Sequence, residues 1–310
     1  MPDYEAGALN NFKNDFINNF EYKERFISGN NFMFVAYDKN SIIGMICERG
    51  NGHIPMLFVD GNYHRKGIAT ALMKEMIIAL KSQGFKIITL NSSPYGVPFY
   101  EHFGFKSTDN VKHMSGFIFT PMQYIIKNEK EKMLNGELYR VDEELTKERN
   151  QAQQLTFEYN QTSPLETDKR RKILEELLGS IGENVTIEAG FRYDYGKNIS
   201  IGNNVFINFN LVALDCNKIT IGDDVMIAPN VGIYTATHTV SPEIRKQALE
   251  YAEPITICNG VWIGGGVSIL PGVTIGENSV IGAGSVVTKD IPPNVVACGN
   301  PCKVVKEIDE

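Results

Sequence analysis

The chain has 310 residues, more than one hydrophobic core usually organises, so two domains are expected. With 22% charged and 43% hydrophobic residues, the composition excludes a disordered protein. The net charge of -7 argues against nucleic acid as a partner, because such binding needs a basic surface. We expect a cytoplasmic protein, since the sequence has no long apolar run and no signal-peptide pattern. Five scattered cysteines at no metal-ligand spacing predict reduced thiols and no metal site.

The first part of the chain alternates strand-like runs with a helix-like stretch at 67–81, which predicts an α/β domain. The strand-like runs are 32–35, 41–46, 56–59 and 87–90. We expect this domain to cover residues 1–127, because a polar stretch (KNEKEK) follows its last strand.

A basic glycine turn, HRKGIA at 64–69, lies between the run at 56–59 and the predicted helix. Amides at a helix start converge on a pyrophosphate, and glycine permits its close approach. The segment PFYEHFGF follows at 98–105. Together the two segments resemble the signatures of GNAT acetyltransferases, although His64 departs from the usual Gln or Arg.

The GNAT resemblance implies acetyl-CoA as the donor and a set of cofactor-binding residues. These are Val59, Arg65, Lys66, Gly67, Ile68 and Ala69. Tyr100 matches the tyrosine that protonates the departing thiolate, although a core aromatic is the alternative. His53 lies where relatives often place a base. We do not recognise the usual opening strand and helix before the region matching residues 12–20, so this half is expected either to acetylate a small amine or only to bind acetyl-CoA.

From Ile181 onward aliphatic residues recur with a period of six. The best run is Ile257, Ile263, Ile269, Ile275, Ile281 and Val287. One inward aliphatic per six residues is typical of a β-helix with a triangular cross-section, three units to a coil. Ile181, Ile201 and Ile221 recur every 20 residues, which predicts a two-residue bulge in each early coil. The stretch 236–253 has no such pattern, so we expect a loop outside the β-helix.

The repeat, with the helical segment before it, resembles the left-handed β-helix acyltransferases, and most closely maltose and galactoside O-acetyltransferases over residues 128–310. This resemblance implies a helical leader (128–180), a left-handed parallel β-helix (181–310) and acetyl-CoA as donor. It also implies a sugar acceptor and a homotrimer with active sites shared between neighbours. An antibiotic or other xenobiotic acceptor is the alternative, against which the leader argues.

His238 is the only histidine of this half and begins the irregular loop. A sugar hydroxyl needs a base of near-neutral pKa during transfer, and histidine is the natural choice. His238 matches the family's loop histidine, although a lone histidine is often structural. No Ser-His or Cys-His pair is visible, so direct transfer without an acyl-enzyme is expected.

The remaining site residues are carried over from the family. Trp262 is predicted to point outward, against either the cofactor or a neighbouring subunit. Residues matched to cofactor binding are Trp262, Gly265, Thr288, Lys289 and Lys303. Gly265 would contribute a backbone N–H to the oxyanion. Asn208 and Asp215 match family residues that bind the acceptor sugar. The alternative is a structural role, such as that of an asparagine in a corner or ladder of the β-helix. Asp142 would replace the acceptor-binding aspartate that the family has in its leader.

Overall fold

The computed structural model describes residues 8–114 and 116–308. The chain divides into two compact units, Met1–Lys127 and Asn128–Glu310, called here the amino-terminal and carboxy-terminal units. Within the described ranges, no helix is long and apolar enough to cross a membrane.

The amino-terminal unit is an α/β fold. Its strands are β1 (Phe32–Asp38), β2 (Ser41–Glu48), β3 (His53–Ile54), β4 (Met56–Val59), β5 (Ile87–Ser92), β6 (Lys106–Ser107), β7 (Lys112–Met114) and β8 (Phe117–Ile125). Its helices are α1 (Ala8–Phe12), a π-helical turn (Lys13–Ile17), α2 (Phe20–Ile27), a 3-10 turn (Gly61–Tyr63), α3 (Ile68–Ser82) and α4 (Val97–Phe103). The predicted long strands and the predicted helix are present, whereas the two- and three-residue strands were not predicted.

The strands form two sheets, with orders β1-β2-β4 and β3-β5-β8-β6, and β7 also pairs with β8. The extended segment 53–59 belongs to both sheets and changes sheet at Pro55, which has no N–H for a ladder. Helix α3 buries one face in the core through Leu72, Met73, Met76 and Leu80. Residues 1–7 lie outside the described part, and the residues from Ala8 to β1 are helical, so the expected lack of an opening strand stays a prediction for 1–7.

The carboxy-terminal unit begins with three helices, α5 (Glu129–Leu134), α6 (Glu143–Gln161) and α7 (Thr167–Leu177). Helix α5 starts with a capping box between Asn128 and Glu131. Helix α7 covers the first coil: the Arg171 guanidinium donates to the carbonyls of Ile181 (3.2 Å) and Gly182 (2.7 Å). These bonds satisfy carbonyls at the open end of the β-helix that no further coil pairs.

A parallel β-helix with three flat sides follows. Side 1 contains β9 (Ser180–Ile181), β12 (Ile199–Ile201), β15 (Ile219–Ile221), β20 (Ile255–Ile257) and β23 (Thr274–Ile275). Side 2 contains β10 (Thr186–Ile187), β13 (Phe206–Ile207), β16 (Met226–Ile227), β21 (Trp262–Ile263), β24 (Val280–Ile281), β26 (Val295–Cys298) and the antiparallel β27 (Lys303–Glu307). Side 3 contains β11 (Arg192–Tyr193), β14 (Val212–Leu214), β17 (Gly232–Tyr234), β22 (Ser268–Ile269) and β25 (Val286–Val287).

The strand registers confirm the predicted coil lengths. Ile201 pairs with Ile221, a step of 20 residues, whereas Ile257 pairs with Ile275, a step of 18. The predicted inward residues are all fully buried: Ile257, Ile263, Ile269, Ile275, Ile281 and Val287. Early corners contain Asn204 and Asp224 with positive φ, a conformation that asparagine and aspartate tolerate better than most residues.

Between β17 and β20 the chain leaves the β-helix, as expected for 236–253. Ile221 still pairs with Ile257, 36 residues later, so the β-helix continues across the interruption. The loop contains an antiparallel hairpin, β18 (Ala236–His238) with β19 (Glu250–Ala252), and the short helix α8 (Pro242–Arg245) between them. This internal structure was not predicted.

Candidate active sites

His238 is the last residue of β18, and its side chain is 63% exposed. The hairpin places it directly opposite Glu250. Its Nε2 atom lies 4.0 Å from the Glu250 carboxylate, whose side chain is only 22% exposed. The imidazole is therefore open to a substrate on one side and faces a carboxylate on the other. Sequence reasoning missed Glu250, because nothing in an aperiodic loop indicates which residue pairs with the histidine.

The leader adds a further strand segment to this hairpin. The Tyr139 N–H donates to the Glu250 carbonyl (3.0 Å), and the Glu250 N–H donates to the Tyr139 carbonyl (3.2 Å). Nearby, the Arg140 guanidinium donates to the Gln247 carbonyl at 3.0 Å. Leader and loop thus meet beside His238 through backbone bonds that hold their register.

Tyr139 is fully buried with Met133, Leu145, Tyr195, Cys216 and Ala252. Burial raises its pKa far above the ordinary value, with smaller contributions from Cys216 and Glu250. Its hydroxyl has no hydrogen-bond partner among the described residues. A buried polar group without a partner is uncommon and calls for an explanation.

The structure gives Asp215 a role in holding a corner of the β-helix. Its side chain is fully buried at the corner after β14. The carboxylate accepts from the backbone N–H groups of Asp194 (3.0 Å), Tyr195 (2.8 Å) and Asn198 (3.3 Å). Burial raises its pKa to about 7, against the lowering effect of these bonds. The carboxylate thus holds the corner together, and its burial argues against the predicted contact with a sugar.

Asn208 and Gly265 lie at the corner between sides 2 and 3. Asn208 is partly exposed, and its side-chain oxygen accepts from the Phe209 N–H at 2.8 Å, which leaves the amide nitrogen available. Gly265 stands two coils further along, and its N–H has no partner among the residues described. A Cβ atom there would lie 3.4 Å from the Pro229 carbonyl, so the surroundings tolerate a side chain.

Trp262 points outward from side 2, as the sequence predicted, and is 51% exposed. It pairs with Met226, which pairs with Phe206, and these two side chains are 53% and 39% exposed. The three form an apolar stripe across neighbouring coils. Apolar patches of this kind mark binding surfaces more often than isolated apolar residues do.

The other predicted cofactor residues of this unit are exposed. Thr288 and Lys289 follow β25 at the corner between sides 3 and 1, two coils beyond the hairpin of His238. Lys303 begins β27, opposite Cys298. The structure therefore brings Thr288 and Lys289 to the corner of His238, whereas Asn208 and Gly265 lie across side 3 from them.

Asp142 caps helix α6: its carboxylate accepts from the Leu145 N–H at 3.0 Å. It also lines a groove of about 800 Å³ along α6 with Val141, Thr146 and Asn150. A capping role alone would account for an aspartate at this position.

In the amino-terminal unit, the predicted phosphate loop does precede a helix. Gly67 is the N-cap of α3 with φ +80, and Arg65 has φ +59. The N–H groups of Ile68 and Ala69 belong to the first turn, which has no acceptors inside the helix. Arg65 and Lys66 are exposed beside them. This arrangement can bind a phosphate through amides and positive charge.

His64, the position that differs from the GNAT phosphate-loop pattern, contacts the preceding strand. Its Nε2 atom lies 3.0 Å from the carbonyl oxygen of Val59 at the end of β4. The histidine therefore ties the phosphate loop to the strand that precedes it.

Tyr100 and His53 are both partly buried. Tyr100, on α4, packs its ring 5.2 Å from that of Phe99 and 5.6 Å from that of Phe105, so it belongs to the core whatever else it does. The His53 Nδ1 atom lies 2.9 Å from the Thr89 hydroxyl. Burial, with a smaller effect of Arg49, lowers the pKa of His53 to about 4. The ring is therefore neutral at neutral pH.

Comparison with known families assigns both units. Residues 1–126 match the model for an acetyltransferase (GNAT) domain. Residues 132–182 match the maltose acetyltransferase hexapeptide capping motif, and residues 254–289 match the bacterial transferase hexapeptide (six repeats).

Among curated proteins, the galactoside O-acetyltransferase of Escherichia coli (strain K12) is 51% identical over 168 residues, 54% of this chain and 83% of that protein. A solved maltose O-acetyltransferase from Clostridium difficile 630 is 54% identical with a TM-score of 0.59, covering 59% of this chain and 99% of that one. A galactoside acetyltransferase in complex with coenzyme A is 48% identical with a TM-score of 0.58, covering 59% and 92%.

Fold, motifs and matches together define an acetyl-CoA-dependent acetyltransferase in which a GNAT domain precedes a hexapeptide-repeat domain. The chain belongs, through its carboxy-terminal unit, to the family of maltose and galactoside O-acetyltransferases.

Proposed function

We propose that the carboxy-terminal unit transfers the acetyl group of acetyl-CoA to a sugar hydroxyl, with His238 as the general base. The observation that carries this proposal is the exposed imidazole of His238, set outside the β-helix and faced by the Glu250 carboxylate at 4.0 Å. The names of the relatives, galactoside and maltose O-acetyltransferases, support the acceptor class.

In this mechanism His238 accepts the proton of the sugar hydroxyl while the hydroxyl oxygen bonds to the thioester carbonyl carbon. Negative charge develops on the carbonyl oxygen, and the unpaired Gly265 N–H is the donor available to it. The carbon–sulfur bond then breaks, and the imidazolium returns the proton to the CoA sulfur. No group of the protein becomes acetylated.

The cofactor would lie across exposed residues of the later coils. Lys289 and Lys303 supply positive charge for the phosphates of CoA, and Thr288 supplies a hydroxyl. Trp262 offers an exposed aromatic face. Asn208 and, from the leader, Asp142 are proposed to bind the acceptor, because fixed amide and carboxylate groups orient sugar hydroxyls.

We propose that three copies assemble, with each active site shared between neighbours. Two observations support this. The apolar stripe of Phe206, Met226 and Trp262 lies on a flat side suited to packing. Within one chain, Asn208 and His238 lie at opposite ends of side 3, so one copy does not bring its acceptor-binding residue to its own base.

An acceptor panel tests the substrate class. We expect CoA release with galactosides or maltose, and none above background with antibiotics or other xenobiotic hydroxyl compounds. Product analysis should find an O-acetyl sugar. Activity confined to the xenobiotic set would overturn the proposed acceptor.

We propose further that the amino-terminal unit acetylates a small amine, with Tyr100 protonating the departing thiolate and His53 as the base. The ring of His53 is neutral, but its pKa of about 4 makes it a weak base, so this role rests on its position just ahead of β4. In the competing hypothesis the unit binds acetyl-CoA without catalysis. The test is an amine panel with wild type and Tyr100→Phe. No N-acetylation by the intact wild type would refute the enzymatic role of this unit.

A further inference from the structure

The row Tyr139–Glu250–His238 connects the leader to the proposed base. His238 and Glu250 are directly opposite each other in the hairpin, and Glu250 and Tyr139 are directly opposite in the bridge on its other edge. Residues opposite each other in adjacent strands project to the same face. The three side chains thus stand side by side, from the exposed imidazole to the buried phenol.

The solvent exposure of the side chains in this row decreases toward the leader. The His238 side chain is 63% exposed and that of Glu250 is 22% exposed, while Tyr139 is fully buried. A carboxylate in this intermediate position interacts with a neighbouring imidazolium more strongly than an exposed one, because less water screens it.

A further carboxylate, that of Asp194, lies next to the small core that contains Tyr139. Asp194 accepts from the Cys216 thiol at 3.5 Å, and Cys216 belongs to the small core of Tyr139. The cation near Asp194 is Arg149, 3.9 Å away and partly exposed. The buried end of the row is thus bordered by a carboxylate–arginine pair as well as by apolar side chains.

The Tyr139 hydroxyl completes the arrangement. It is buried and without a hydrogen-bond partner among the described residues, and the Glu250 carboxylate is close enough to raise its pKa. An unpaired buried hydroxyl is destabilising, and a rotation of the Glu250 side chain toward it would give it an acceptor. The phenol is thus a donor within reach of this carboxylate, with the Cys216 thiol as its other polar neighbour.

We propose that Glu250 is the positioning residue of His238, and that Tyr139 of the leader in turn holds the Glu250 carboxylate. Glu250 fixes the ring orientation and the tautomer with the proton on the nitrogen that faces it, Nε2 in the structure. The other ring nitrogen is then free to accept the proton of the acceptor hydroxyl. The leader thereby acts on the base as well as on the acceptor. This inference rests on the proposed role of His238.

The test measures sugar acetylation by Glu250→Gln in the full-length protein. We expect kcat to fall by about 10- to 100-fold, part of the factor of about 10²–10⁴ that a general base contributes, with the KM for acetyl-CoA unchanged. The matched control is Glu243→Gln, which removes a carboxylate of the same loop that is 78% exposed and should leave kcat unchanged. A Glu250→Gln variant with wild-type kcat would overturn the proposal.

Two further readouts separate positioning from a merely structural effect. The ¹⁵N signals of His238, identified by their loss in His238→Ala, should show one tautomer in the wild type and a mixture in Glu250→Gln. Tyr139→Phe should lower kcat less than Glu250→Gln, and the double variant should equal Glu250→Gln alone. If Glu250→Gln does not fold, an unchanged kcat in Tyr139→Phe overturns the proposal. A fully active His238→Ala would instead refute the proposed base.

Discussion

Asp215 and Asn208 are both polar corner residues within eight positions of each other, yet the structure gives them opposite environments. The Asp215 carboxylate is fully buried and accepts from three backbone N–H groups, whereas Asn208 is partly exposed. The sequence pattern does not separate the two, because burial at a corner depends on the leader and the loop that cover it. Burial therefore argues against the acceptor role predicted for Asp215, and the roles of both residues stay predictions.

Asp215→Ala is expected to destabilise the carboxy-terminal unit by about 2–4 kcal/mol, because buried backbone N–H groups lose their acceptor. Chemical denaturation followed by circular dichroism measures this. Asn208→Ala is the matched control: we expect nearly unchanged stability and weaker sugar acetylation. An Asp215→Ala protein of wild-type stability that no longer binds sugar would restore the acceptor role.

Asp215 also predicts a dependence of stability on pH. Its folded-state pKa is raised to about 7, while in the unfolded chain an aspartate titrates near its ordinary value of about 3.9. Between these values the folded state binds more protons, so this contribution to stability falls as the pH rises from about 4 to 7. The unfolding free energy of the wild type minus that of Asp215→Asn should therefore decrease as the pH is raised from about 4 to about 7. A flat difference would contradict the raised pKa.

At the scale of elements, the hexad period predicted the faces of the β-helix strands, because one period decides which residues point inward. Ile275 is fully buried, and its neighbour Thr274 is exposed on the same strand. The hairpin of β18 and β19 could not be predicted in this way, because residues 236–253 follow no hexad period and the bridge from Glu250 to Tyr139 joins residues far apart in the sequence. For the same reason Glu250 was missed.

Ile275→Ala should destabilise the carboxy-terminal unit by about 2–5 kcal/mol, the usual cost of a cavity in a packed core. Thr274→Ala, on the outward face of the same strand, is the control and should change stability by less than about 0.5 kcal/mol. Urea denaturation of both variants measures the difference. Equal effects would mean that the inward and outward phases of the repeat are assigned wrongly.

At the scale of the whole molecule, the two units differ in how completely their proposed sites are built. In the amino-terminal unit the proposed phosphate loop precedes a helix, as predicted, because a glycine turn and an amphipathic helix are local features of the sequence. In the carboxy-terminal unit the proposed residues are divided between two corners of one chain. A repeat pattern shows which residues of one chain point inward or outward. It does not show which residues of two chains would lie close together.

The proposed sharing of active sites between subunits predicts complementation between inactive variants. His238→Ala and Asn208→Ala homo-oligomers should each be weakly active, while co-expressed mixed trimers should recover up to about a quarter of wild-type activity, the fraction of sites with both residues intact. The comparison is activity per subunit in purified mixtures, with trimer formation checked by light scattering. Mixtures no more active than the separate variants would place both residues in the same subunit's site.

The most direct test of the proposed sugar acetyltransferase is the rate of CoA release with a sugar acceptor, compared between wild type and His238→Ala. We predict a decrease of about 10²- to 10⁴-fold in kcat, because a general base contributes a factor of this size. The amine-dependent rate of the same variant serves as the internal control and should be unchanged. Sugar acetylation retained at the wild-type rate in His238→Ala would contradict the account.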